Sequence, residues 1–263
     1  MDLSQIKMVV TDMDGTLLNS RHQVSDRFFE LFQALKSKGI LFVAASGRQY
    51  HSMVSKLDSI QDDIIFIAEN GALIKKQGEE VSVTPINQVL KGELLQIVDG
   101  IDGAHAMLCG KYKSYFDTKS VVSLEQLKEY YSAFEIVDHY GSVKDEIIKI
   151  AVYHGVSAEQ YIYPEMAHLE NELKVKVSGK NWLDLNHLDA HKGNALGRVM
   201  DAQGIQPNEV LVFGDYFNDL EMLQLVEHSF AMANAHPDVK KVANYETTSN
   251  NEFGVETILE KLV

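Results

Sequence analysis

The chain has 263 residues, 45% of them hydrophobic and 24% charged, the balance of a soluble globular protein with a real core in one or two domains. Its formal net charge is −14, and a mean field of that sign repels polyphosphate, which argues against nonspecific binding to nucleic acid or to an anionic membrane. A small anionic substrate stays open, because a local cation or a helix N-terminus can reverse the field inside a cleft.

Along the chain, short apolar runs end in small or acidic residues. KMVV (7–10) leads into Thr11 and Asp12, ILFVAA (40–45) into Ser46 and Gly47, and IIFIA (64–68) into Glu69, Asn70 and Gly71. Such runs suit strands buried on both faces. Between the first two, DRFFELFQALKSKG has helical spacing and Gly39 as its stop. From about Pro85 to Asp189 the pattern changes. AHAMLC (104–109), KYKSYFD (111–117), EIIKIAVYH (146–154), ELKVKVSG (172–179) and NWLDLNH (181–187) are more polar and alternating, as an antiparallel sheet with one exposed face requires. Helical segments are expected near 121–133 and 157–170. The strand–helix alternation then resumes: GNALGRVMDAQG, the run VLVF (210–213) into Gly214 and Asp215, the helix DLEMLQLV, and SFAMA (229–233). The expected architecture is α/β, a parallel sheet over 1–84 and 190–263 with an α+β domain inserted at 85–189. Cys109 is the single cysteine, which rules out an intramolecular disulfide and argues against a cysteine-based zinc site. MDLSQIKM carries no secretory signature, and no stretch is long and apolar enough to span a bilayer. The expected location is cytoplasmic, with no membrane, nucleic-acid or obligate protein partner.

Ligands of such sheets gather at the carboxyl ends of the strands. There, TDMDGT places Asp12 and Asp14 two residues apart, and like charges so close repel unless a cation sits between them. A hard cation with oxygen ligands, Mg²⁺ above all, would relieve that repulsion; an ordinary Asp-Gly turn is the alternative. GDYFNDLEML repeats the design with Asp215 and Asp219. Taken separately, these two acids suit a solvated loop and a helix N-cap; taken together, two acid pairs at equivalent strand ends suit one cleft. Ser46 and Gly47 form a neutral phosphate cradle or a plain helix start. Arg48 reaches either a phosphate or sugar hydroxyl, or solvent. Lys192 opens a helix at the end the macrodipole makes unfavourable for a cation, which points to a local anion. His191 beside it reads as structural or exposed. Asn70 and Asn218 are candidate polar contacts.

These four segments, in this order, resemble the haloacid dehalogenase superfamily of aspartyl-nucleophile phosphatases. The inserted domain resembles the large cap of the Cof-type subgroup, with VTDMDGT, ASGRQY, AENGAL and SFAMANA most similar to its bacterial sugar phosphatases. The resemblance implies that Asp12 attacks phosphorus and that Asp14 serves as general acid and then base. It implies that Ser46, Lys192 and Asn218 contact the phosphoryl group. Mg²⁺ would be held by the Asp12 side chain, the Asp14 carbonyl and Asp215, with Asp219 in support. The implied activity is Mg²⁺-dependent hydrolysis of small phosphorylated metabolites, sugar phosphates foremost; a phosphomutase and a phospho-accepting signalling or binding protein are the alternatives. Two departures stand out. Tyr216-Phe217 replaces the small, glycine-containing pair usual after the metal aspartate, and Ala190 stands where glycine is common before the lysine.

Overall fold

The computed structural model describes residues 3–118 and 133–263. The chain divides into two compact units, Met1–Val81 with His191–Val263, and Ser82–Ala190. The joins fall at 81/82, within the strand Glu79–Val83, and at 190/191, each within a few residues of the expected Pro85 and Asp189.

Strands are numbered along the chain. The first unit holds β1 (Met8–Asp12), β2 (Leu41–Ala45), β3 (Ile65–Ala68), β4 (Leu73–Lys76), β5 (Glu79–Val83), β12 (Val210–Gly214), β13 (His228–Ala231) and β14 (Tyr245–Glu246). Their order is β14-β13-β12-β1-β2-β3-β4-β5. Every pairing from β14 to β3 is parallel, and β4 turns back antiparallel on β3. β1 is buried along its whole length, which is why its sequence shows no alternation. The helix Asp26–Ser37 starts at Ser25, whose side chain accepts from the Phe28 amide, and buries Phe28, Leu31, Phe32 and Leu35. Phe28 and Phe32 meet Phe42 of β2 edge to face. Each such side chain stabilises the unit by roughly 1.5–3 kcal/mol.

The second unit holds β6 (Ala104–Gly110), β7 (Ser114–Asp117), β8 (Phe134–Val137), β9 (Ile147–His154), β10 (Leu173–Gly179) and β11 (Trp182–His187), in the order β10-β11-β9-β6-β7-β8. The sheet is antiparallel except for β7 and β8. One face packs through Leu108, Ile150, Val152, Leu183 and Leu185 against Leu94 and Val98 of the helix Gln88–Asp99 and against Ala158, Ile162 and Met166. The other face is less exposed than its sequence suggests: Met107, Cys109, Phe116 and Ala151 are buried there, with Trp182 packed on them. The segment expected as one helix over 157–170 is broken into the short pieces Ala158–Tyr161, Tyr163–Met166 and Ala167–Leu169, with Pro164 inside the second. The helix expected near 121–133 lies, but for its last residue, outside the described residues. No helix among the described residues is long and apolar enough to cross a membrane.

Candidate active site

The ten candidate site residues, and His191 with them, fall in the first unit, although Lys192 and the Asp12 it contacts are 180 positions apart. Parallel registry explains the gathering. Asp12 ends β1 opposite Ala45, the residue before Ser46, and Thr11 pairs with Phe213, two residues before Asp215. Three loops therefore open at one edge.

At the centre is Lys192, with no exposed surface. Its Nζ donates to Asp12 Oδ1 at 2.5 Å and to Asp219 Oδ1 at 2.7 Å. The anion that the misplaced lysine implied is thus this pair of carboxylates. Oxygens of Asp12, Asp215 and Asp219 lie within 4.8 Å of one another. Burial alone would push the Lys192 ammonium toward neutrality, but Asp12 and Asp219 outweigh it and raise its pKa. Burial raises Asp12; Lys192 opposes that, and Asp219 and Asp215 leave the balance well above the carboxylate range. Asp215 is pushed up to about 7, first by burial and then by Asp219. Three carboxylates share one ammonium, so the cluster is short of positive charge.

Asp219 is tied down on both oxygens. Besides the Lys192 contact, Oδ2 accepts from the amides of Asp215 at 2.9 Å and Tyr216 at 3.1 Å. Gly214 leaves the room this requires, since a Cβ there would overlap the Asp219 carboxylate. The Tyr216-Phe217 departure does not loosen the loop. Phe217 packs against His236 with ring centroids 4.5 Å apart and the rings tilted by 46°, and the His236 amide donates to the Asp215 carbonyl at 3.0 Å. Two further residues serve the site without having been singled out. Thr16 Oγ1 donates to Asp215 Oδ1 at 3.1 Å, and Asn234 Nδ2 to the Gly15 carbonyl at 2.8 Å. Thr16 lies inside TDMDGT; nothing local in the sequence marks Asn234.

Asp14 stands apart. Gly15, at φ +81°, turns the chain, and a Cβ there would strike the Asp215 carboxylate. The Asp14 carboxylate consequently meets Arg48, not the acid cluster: Nε to Oδ2 and Nη2 to Oδ1, both 2.6 Å. Burial raises its pKa, and the hydrogen bonds and charge of Arg48, aided by His22, more than reverse that and leave it lowered. Arg48 is buried, so of the two alternatives left open for it the solvent-facing one falls away. Ser46 is buried and its Oγ accepts from the Arg48 amide at 3.1 Å. Asn218 Nδ2 donates to Asn70 Oδ1 at 3.1 Å, and Gly47 lies against Asn70. Asn70 itself adopts φ 57°, in the left-handed region. His191 is structural: its Nδ1 accepts from the Asn194 amide and caps the helix Lys192–Gln203.

The family model for haloacid dehalogenase-like hydrolases matches residues 9–259. The chain is 32% identical to the 5-amino-6-(5-phospho-D-ribitylamino)uracil phosphatase YbjI of Escherichia coli (strain K12), over 98% of this chain and 96% of that protein. Among solved structures, SMU.1108c of Streptococcus mutans UA159 aligns with a TM-score of 0.87 at 27% identity, over 98% of each chain. The HAD subclass IIB sugar phosphatase BT4131 aligns with a TM-score of 0.83 at 20% identity, over 97% of this chain and 98% of that one, a likeness of fold.

Proposed function

The chain belongs to the haloacid dehalogenase-like hydrolases, and from that premise we propose that it is a Mg²⁺-dependent phosphatase acting on small phosphorylated sugars and sugar alcohols through an aspartyl phosphate. The observation that carries this reading is the dry cluster of Asp12, Asp215 and Asp219 around the single ammonium of Lys192.

The donor set fits a hard divalent cation: oxygen atoms only, with less positive than negative charge. The Asp12 and Asp215 side chains and the Asp14 carbonyl would hold it, with Asp219 fixed behind them. When bound, Mg²⁺ supplies charge that offsets repulsion between the acids and an anionic phosphate and stabilises the transferring group. The chain's own residues do the rest. Lys192 aims Asp12 and favours its carboxylate against burial, and offers its charge to the phosphoryl oxygens. An Asp12 oxygen forms a bond to phosphorus while the ester P–O bond breaks, and Asp14, which must first take up a proton from solvent against the pull of Arg48, gives it to the departing alkoxide. Water then attacks the same phosphorus, Asp14 takes the water's proton, and phosphate leaves with Asp12 restored. Ser46, Gly47, Asn70 and Asn218 would hold the phosphoryl oxygens through neutral donors.

The E. coli relative is named for a phosphorylated ribityl chain, which supports a polyol phosphate among the substrates. The inserted unit supplies no residue to the acid cluster, and we assign substrate choice to it. A small-molecule partner and a cytoplasmic location complete the reading, without nucleic acid, membrane or obligate protein partner.

The test is phosphate release from a panel of hexose, pentose and ribityl phosphates, with and without Mg²⁺, beside Asp12→Asn. Metal-dependent release that the variant loses is expected. A folded, Mg²⁺-loaded protein that releases no phosphate from any ester overturns the reading, and recovery of an isomeric sugar phosphate instead would make it a mutase.

A further inference from the structure

Asp14 is gripped by a buried cation. The Arg48 side chain is 4% exposed, whereas that of Asp14 is 41% exposed. Two parallel N–H groups of Arg48 meet the two oxygens of Asp14 at 2.6 Å each. A planar fork matched to a planar carboxylate fixes both the place and the plane of the acid. The fork is held in turn. Arg48 Nη1 donates to Ser52 Oγ at 3.2 Å, its amide donates to Ser46 Oγ at 3.1 Å, and its carbonyl accepts from the Glu69 amide at 3.0 Å. On the open side, His22 Nδ1 lies 3.3 Å from Asp14 Oδ1 and 3.4 Å from Arg48 Nη2. A half-exposed aspartate has little packing to orient it, so Arg48 supplies its orientation.

We infer that Arg48 is a positioning residue that acts through Asp14, aiming its carboxyl at the leaving oxygen, and is not itself a contact for the phosphoryl group or the sugar. The inference rests on the phosphatase reading above. The two roles separate chemically. A misaimed Asp14 hurts most when the leaving group needs a proton, as an alkoxide does. It matters little when the leaving group departs as a stable anion, as p-nitrophenolate does. A lost phosphoryl contact would instead weaken every ester and inorganic phosphate alike.

The test compares kcat/KM, which reports steps only as far as the first irreversible transfer, on an alkyl phosphate and on p-nitrophenyl phosphate. Arg48→Ala is expected to lose on the order of 10²-fold on the alkyl ester, the lower range of general acid help, and only a few-fold on the aryl ester. Inhibition by inorganic phosphate should not change. Arg48→Lys should regain part of the alkyl activity, and Arg48→Ala should add almost nothing in an Asp14→Asn background, because the two residues act as a unit. Thermal unfolding checks each variant, and Arg48→Gln carries the same comparison if the alanine variant does not fold. Equal losses on both esters, weaker phosphate inhibition, or additive losses with Asp14→Asn would each overturn the assignment while leaving the phosphatase reading intact. A wild-type protein silent on both esters overturns that reading, and the assignment with it.

Discussion

Asp12 and Asp14 are two residues apart and live in different media. Asp12 is 5% exposed and shares one buried ammonium with two other acids. Asp14 is half in solvent and is held on both oxygens by the Arg48 guanidinium. Burial and crowding raise the first; Arg48 lowers the second. Gly15 makes the separation possible, since its left-handed turn sends the chain away from Asp215 at the point where the second acid would otherwise join the cluster. Two carboxylates on one short loop can thus take different tasks because their surroundings differ.

Breaking the dry side should have the largest effect. Asp12→Asn removes the proposed nucleophile, and phosphate release should fall by at least ~10⁴-fold, as for nucleophiles that act in a unit. On the wet side, Asp14→Asn should cost ~10²–10⁴-fold in turnover of an alkyl phosphate. Binding of inorganic phosphate, read by competition, should persist. Lys192→Met tests the charge balance through stability. It strands Asp12 and Asp219 in a dry site, and chemical denaturation at pH 8 without metal should show a loss of about 3–5 kcal/mol. A loss below ~1 kcal/mol would mean that the acids take up protons without cost.

The smallest effect has the opposite sign. Asp215 has a folded pKa of about 7 against an ordinary 3.8. Between those values the folded state holds the extra proton, so this group's contribution to stability declines as pH rises toward 7 and is constant above it. Asp215→Asn should therefore stabilise the metal-free protein at pH 8, by about 1–2 kcal/mol after allowance for its partial exposure. It should also abolish both turnover and the rise in melting temperature on adding Mg²⁺. An unchanged Mg²⁺ response in that variant would remove Asp215 from the metal site.

Much of the first unit was legible because strands buried on both faces spell themselves as apolar runs, and their last residues then name the loops. Met8–Asp12 and Val210–Gly214 are adjacent in the sheet, so Asp12 meets Asp215 and Asp219, while Asp14 turns away to Arg48. Lys192 was legible from its unfavourable place on a helix. Arg48 was a candidate, but its pairing with Asp14 was not legible, because that partner lies 34 positions earlier and is brought near by the pairing of β1 with β2. The hairpin of β4 and β5 escaped notice because LIKK and EEVSV are short and charged. In the second unit, the parallel pairing of β7 with β8 and the buried second face follow from long-range packing that no local period reports.

The register of β1 with β12 also sets an order of events. The segment Ser82–Ala190 is continuous and has its own core, so it can fold while the chain is still being made. The sheet around Asp12 cannot close until Val210–Gly214 has emerged. Closing so long a loop costs little more than closing a shorter one, because the entropy grows only with the logarithm of length. Until then Asp12 has no Lys192 and stays in water with Asp14. The nascent first strand therefore carries two charged acids at its tip, which keep that end of an otherwise apolar strand solvated.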